Sequence, residues 1–347
     1  MNNKLYIISL LSVLFVLSCR KQEVGPQCPT CVSETPNSVE QVVIGCEGNF
    51  GWGNASISVY NPEEKTVSNS VYQSANGNLL GDVIQSFHLF DSVLFVVVNN
   101  ASKIELINPS NYQSLGVITG FNSPRYMLGI NNLKGYVTDL YSNSVHIIDP
   151  NVQQITGSIN TNQWTERIYE FDSEVYICAP DTNWIFVMDP ASDVITDTLF
   201  LSKGPNSMVQ DLNGSLWALC TGGSAQEPAK LFQINPATKQ TIQAFQFGDI
   251  NDSPNHLILN SAKTQLIYMN ADIYEMNILD SSLPTSPIIN SASSIFYGMN
   301  INPFNDELYI TDAIDYVQPG NVFRFDVNHQ PIDTFQVGII PQAIWFK

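Results

Sequence analysis

A short apolar strand runs into the same kind of turn seven times along this chain. Five copies carry an Asn-Pro or Asp-Pro pair: Tyr60-Asn61-Pro62, Ile107-Asn108-Pro109, Ile148-Asp149-Pro150, Met188-Asp189-Pro190 and Ile234-Asn235-Pro236. Two degenerate copies follow at Met276-Asn277-Ile278 and Phe325-Asp326-Val327. Proline fixes its own φ and pushes the residue before it out of the helical region, so each pair ends a strand in a turn. Successive Asn/Asp positions lie 40 to 49 residues apart. A period of that size made only of strands predicts an all-β chain, a seven-bladed β-propeller.

One unit shows the pattern. Tyr126 to Ile130 reads as a first strand, Tyr136 to Asp139 as a second, Ser144 to Ile148 as a third and Gln154 to Ile159 as a fourth, with tight turns between the first two and the last two. Four antiparallel strands make one blade. Second strands such as Val93 to Val98, Val175 to Cys178, Leu216 to Leu219 and Leu266 to Met269 are near-continuous apolar runs, as expected of strands covered on both faces by neighbouring blades. No segment beyond the N-terminus shows a helical apolar period. The first unit has strands near Val42 to Cys46, Ala55 to Tyr60 and Thr66 to Tyr72 but lacks an innermost strand. Pro341 to Phe346 resembles the innermost strands that begin at Pro124 and Pro254, so the C-terminal strand is expected to complete the first blade and close the ring.

Because strands alternate in direction, the Asn-Pro turns gather on one face of the ring. The loops between second and third strands, and between blades, gather on the other. Binding residues belong on those longer, varied loops. That face is expected to collect Phe50, Trp52, Tyr141, Trp164, Asn183, Trp184, Asn206, Asn255 and Tyr316, with Arg125 and Arg167 at the starts of innermost strands near the channel mouth. His256, Tyr297 and Gln342 fall on the same face. Flat aromatic surfaces with amide rims suit a ring-shaped ligand. The same residues could instead cap loops or pack between blades. For the two arginines, binding a ligand carboxylate or phosphate and pairing with a nearby acid such as Glu166 are equal readings.

The N-terminus carries a different signal. Lys4 precedes a 13-residue apolar run from Leu5 to Leu17, too short to span a bilayer comfortably and followed by Ser18-Cys19. Residues 1–18 read as a lipoprotein signal peptide, Cys19 as the lipidated residue, 19–40 as a polar tether and 41–347 as the propeller. Arg20 after the cysteine gives no reason for inner-membrane retention, so an outer-membrane lipoprotein, possible surface exposure included, is the expected address. Cys28 and Cys31 lie in the tether as a local disulfide or spare thiols; a zinc site would need two further ligands. Cys46, Cys178 and Cys220 fall in apolar strands as small core residues.

Composition removes some function classes. Lys and Arg number 14 against 32 Asp and Glu, a net charge of −18 that repels a phosphate backbone, so nucleic acid is not an expected partner. The four histidines, His88, His146, His256 and His329, are scattered, with no metal-binding His pair and no Gly-x-Ser-x-Gly elbow. No catalytic residue, cofactor or metal site is assigned. Gly248-Asp249-Ile250-Asn251-Asp252 has clustered oxygens for Ca²⁺ but lacks the 12-residue loop with its terminal Glu.

The Ser18-Cys19 site, the tether, Glu47-Gly48-Asn49-Phe50, the strand Ala55 to Tyr60 and the Asn-Pro turns together resemble the YncE-like, YVTN-type propeller lipoproteins of Gram-negative envelopes, over about residues 41 to 347. In layout the chain is similar to the BtuG-type branch, surface propellers that capture cobalamin for a TonB-dependent transporter. No short motif transfers their contact residues onto this chain. The resemblance implies a non-enzymatic ligand-capture lipoprotein with cobalamin leading. Glycan binding, a protein-interaction platform in the envelope, and an enzyme such as a propeller hydrolase or dehydrogenase are the alternatives.

Overall fold

A computed structural model describes residues 39–223 and 227–347. Cys19, Cys28, Cys31, the signal peptide and most of the tether lie outside these residues. The strands form seven antiparallel sheets that follow one another along the chain as the blades of a propeller. In the third blade the strands are Pro124–Asn131, Lys134–Asp139, Ser144–Asp149 and Gln154–Asn160, paired in simple sequence order. The ring closes as expected: Pro341–Phe346 pairs with Val42–Cys46, placing Val42 opposite Phe346 and Val43 opposite Trp345.

The seven repeated turns share one hydrogen bond. In every copy the Asn or Asp side-chain oxygen accepts the backbone N–H two residues later, at 2.8–3.0 Å, from Glu63, Ser110, Asn151, Ala191, Ala237, Leu279 and Asn328. These are Asx turns. The proline between donor and acceptor has no N–H to satisfy. A residue four positions after the Asn/Asp closes five of the turns in the left-handed region, at Lys65, Tyr112, Gln153, Asp193 and Lys239.

The core lies between blades rather than within them. Leu216–Cys220 and Val42–Cys46 are buried along their whole length, and Trp217 and Leu219 of one blade pack with Leu266 and Tyr268 of the next. Cys46, Cys178 and Cys220 are free and buried in these layers. Burial also raises the Cys46 and Cys178 thiols to about 12, so they remain protonated packing groups.

Two local departures from the expected pattern have clear causes. After the short strand Thr66–Ser68 the chain forms a helix, Val71–Asn76, where a strand reaching Tyr72 was expected. Six residues are under two turns, too few to show a helical period. Gly77 ends the helix at φ 74°, its N–H bonded to the Gln73 carbonyl. The sixth blade keeps only three strands, Asn255–Leu259, Gln265–Asn270 and Asp272–Asn277, and its outer edge is reduced to a bridge between Ile273 and Ile289. Pro284 and Pro287 fall in that segment and remove the donors a fourth strand would use.

Candidate functional site

Innermost strands begin at the channel mouth, and six of the seven are irregular there. Pairing skips Gln85 between Ile84 and Ser86, Arg125 and Tyr126 between Pro124 and Met127, and Asn206 between Pro205 and Ser207. It also skips His256 and Leu257 in the sixth blade, Tyr297 and Gly298 in the seventh, and Gln342 in the closing strand. A bulge leaves a residue out of the ladder and re-aims its side chain. Skipped residues Gln342, Gln85, Arg125, Tyr126, Asn206, His256 and Tyr297 line a cavity of about 280 Å³, and Arg167, just ahead of the regular fourth-blade strand, completes the ring. His256 sits at φ 53°, a left-handed conformation that costs energy for a non-glycine residue.

The two arginines have different fates. Arg125 forms a fork with Glu166, Nε to Oε2 at 2.8 Å and Nη2 to Oε1 at 2.6 Å, and the Trp164 indole N–H donates to the same carboxylate at 2.8 Å. Arg167 lies over the Tyr126 ring, 4.8 Å from its centroid, and lines the cavity. Asn206 donates to the Pro254 carbonyl and accepts from the Ser207 hydroxyl. The Asn255 side-chain Oδ1 lies 2.6 Å from His256 Nδ1 and accepts from an Nδ1–H, which leaves Nε2 bare. Burial, reinforced by the Arg167 charge, lowers the His256 pKa to about 3, so the ring is neutral at ordinary pH.

Glu47 stands behind the seventh-blade wall. The Tyr297 hydroxyl donates to it at 3.2 Å. Burial raises its pKa to about 7; the Tyr297 bond and Arg125 oppose the rise, and Asp82 adds to it. Asp82 accepts from the Gly51 N–H and the Asn100 amide, both at 2.6 Å, and thereby ties the Phe50–Trp52 loop down.

The expected site residues separate into three groups. Arg125, Arg167, Asn206 and Asn255 line the cavity, with Trp164 braced against it through Glu166. Phe50, Trp52, Tyr141 and Tyr316 stand on loops of the same face; Phe50, Trp52 and Tyr141 are 75, 77 and 71% exposed. The Asn49 amide donates to the Tyr316 carbonyl at 3.1 Å and holds two of these loops together, and Tyr316 meets Tyr297 edge to face. Asn183 and Trp184 are not brought to the cavity. Trp184 begins a third strand, two strands out from the channel, where its indole packs edge-on against Phe186 and Phe200. A long aromatic next to a loop looks alike in sequence whether it faces the loop or the core.

Gln85 and Tyr126 are cavity residues that the loop pattern did not single out. Part of the signal was present, since Arg125, Asn206, Asn255 and Gln342 each follow a proline that opens an innermost strand. Gln85 follows Ile84 and has no such mark. In the Gly248–Asp252 loop, Asp249 and Asp252 oxygens accept hydrogen bonds from Asn251, Asn270 and the Asp249 N–H. Among the described residues no three His, Cys, Asp or Glu side chains group as metal ligands.

Similar folds occur in proteins of diverse description. A quinonprotein alcohol dehydrogenase-like protein of Bacteroides thetaiotaomicron is 13% identical, with a TM-score of 0.68 over 87% of this chain and 77% of its own. A Bacteroides fragilis protein provisionally described as a 6-phosphogluconolactonase is 10% identical, with a TM-score of 0.68 over 89% of this chain and 98% of its own. Hydrazine synthase of Kuenenia stuttgartiensis is 13% identical, with a TM-score of 0.60 over 75% of this chain and 88% of its own. At such identities the likeness establishes the propeller fold alone. No curated protein matches the sequence. Residues 42–338 match one family pattern, which covers nearly the whole ring, and the chain belongs to that family, described as Domain of unknown function (DUF5074).

Proposed function

We propose that this protein is a non-enzymatic capture protein that binds a small molecule at the loop-face mouth of its central channel. The observation that carries this reading is the bulge in six of seven innermost strands, which turns side chains from all round the ring onto one cavity. At about 280 Å³ the cavity falls just short of the usual range of ligand pockets, which run from about 300 Å³ upward. It suits a compact ligand, or one end of a larger one whose body lies across Phe50, Trp52, Tyr141 and Tyr316. The non-enzymatic reading is supported by the one carboxylate in the cavity lining, Glu166, which Arg125 and Trp164 hold in place.

Cobalamin is the leading ligand because a corrin is a broad apolar plate rimmed by amides, matched by exposed aromatics around a polar cavity. Delivery to a TonB-dependent transporter and attachment to the outer membrane through Cys19 complete the proposal. Calorimetric titration of the purified protein with cobalamin tests it. Saturable heat with a shift in the corrin spectrum is expected, and no change at micromolar concentrations rejects cobalamin.

A second reading rests on a separate observation. Trp52, Phe50 and Val317 are 77, 75 and 65% exposed and are held close by the Asn49–Tyr316 bond, a patch that also suits a protein partner. Gentle crosslinking in the native envelope separates the two: a single co-purifying membrane protein, with no small-molecule signal, favours the platform.

A further inference from the structure

The channel mouth holds one cation, Arg167, that Glu166 reaches through its charge but does not touch, because its carboxylate is bonded to Arg125. Arg125 is satisfied by Glu166, the Asn206 and Asn255 amides are bonded to the chain, and the Tyr297 hydroxyl is given to Glu47. Among the described residues, the Arg167 guanidinium makes no hydrogen bond or ion pair; its one polar contact is the face of Tyr126. A guanidinium carries five N–H donors, and those of Arg167 are not buried without partners but open into the cavity, where water or a ligand can accept them.

Arg167 lines both the outer cavity and a second cavity of about 120 Å³ deeper in the channel, and Gln85, Tyr126, His256 and Gln342 are shared by the two. The Tyr126 hydroxyl accepts from the Gln85 amide at 3.1 Å, so its own proton is free to be donated. The one carboxylate beside them, Glu166, has both oxygens engaged. Positive charge and free donors therefore meet at one point of a half-open channel mouth.

We infer that Arg167 is an oxyanion subsite, taking a carboxylate or phosphate group at the inner end of the captured ligand, with the Tyr126 hydroxyl as a second donor. This deepens the capture reading and rests on it. The planar fork of Arg167 fits two oxygens on one carbon or phosphorus. The net charge of −18 repels an anion at long range, so recognition depends on these contacts rather than on steering.

The chain has only four arginines, Arg20, Arg125, Arg167 and Arg324, so each side-chain Nε–H resonance can be assigned by substitution. The ¹⁵N-labelled protein is titrated with inorganic phosphate, and separately with acetate, at ionic strength held constant with sodium chloride. The Arg167 resonance is expected to move saturably while Arg125 stays in place. Arg167→Gln abolishes the accompanying rise in Tm, and Arg167→Lys, which keeps the charge without the fork, retains part of it. An Arg167 resonance indifferent to both anions overturns the inference, as does an Arg167→Gln protein with the wild-type Tm response. Cobalamin titration of Arg167→Gln keeps the two proposals apart. A tenfold or greater loss of affinity supports the subsite, whereas unchanged affinity removes it and leaves capture standing.

Discussion

Arg125 and Glu166 join the third and fourth blades through a two-point fork, with the carboxylate 2.8 and 2.6 Å from the guanidinium nitrogens, and this pairing leaves the neighbouring Arg167 without a direct ion pair among the described residues. The two side chains are 18 and 11% exposed, so the pair is largely out of water. It also braces the Trp164 indole, which donates to the same carboxylate. A structural ion pair and a free cation thus sit side by side in the channel wall.

Breaking that fork should be costly. Glu166→Gln leaves Arg125 without its anion in a low-dielectric wall, and removal of one partner of a buried pair typically costs about 3–5 kcal/mol. Residual exposure reduces this to about 2 kcal/mol here. Urea unfolding measures it, and a loss below about 0.5 kcal/mol, the size of an ordinary surface substitution, would count against the fork as a structural element.

Glu47 should make stability fall as pH rises. Burial raises its pKa from 4.5 to about 7, so between those values the folded protein holds a proton that the unfolded chain has released. Above pH 7 the native state carries the full cost, about 3 kcal/mol. Glu47→Gln removes this slope. Denaturant midpoints of the two proteins from pH 4.5 to 8 should diverge as pH rises, with the variant the more stable at the upper end.

His88 should act in the opposite direction. Its Nε2 accepts the Gly129 N–H at 3.0 Å, and burial lowers its pKa from 6.5 to about 4. A base with a depressed pKa contributes stability above pH 6.5 that is lost as pH falls through 4. In His88→Gln, whose amide oxygen can accept the same N–H, the acid limb between pH 6.5 and 4 should be shallower by about 3 kcal/mol. An identical acid limb would show that His88 does not titrate with unfolding.

The closing strand should be indispensable. Removing residues 341–347 deletes the partners of Val42 to Cys46 and exposes the edge of the first blade. Size-exclusion chromatography should show aggregate or an expanded chain in place of the wild-type elution peak. A compact truncated monomer with wild-type circular dichroism contradicts closure by this strand.

Gly298 should tolerate no side chain. An added Cβ would stand 2.1 Å from the Gln342 carbonyl oxygen, a backbone atom of the neighbouring innermost strand. Gly298→Ala must push the seventh and first blades apart, costing about 1–3 kcal/mol as overpacking. Gly298 shares its bulge with Tyr297, so ligand binding at the channel mouth should weaken with stability.

The repeat was legible because its causes are local. Asn or Asp, proline and the flanking apolar residues act within a few positions of one another, and all seven turns use the same side-chain acceptor. The helix Val71–Asn76 was not legible, being too short to express a period, and neither was the loss of an outer strand where Pro284 and Pro287 intervene. At the site, Arg125, Arg167, Asn206 and Asn255 converge as their strand positions imply. Trp184 does not, because its packing against Phe186 and Phe200 is a property of the outer blade, and Gln85 carries no mark at all in the chain.

By itself the sequence determined the number of blades, the strand that closes the ring and the face that carries the varied loops, since each follows from turn chemistry and apolar runs a few residues long. Tertiary structure alone decided which arginine is paired and which is free. Arg125 reaches its partner across 41 residues of chain, and the bulges that turn Gln85, Tyr126, His256 and Gln342 inward belong to strands paired in a closed ring. Pairings between blades depend on where the ring places them, and no short stretch of residues encodes that.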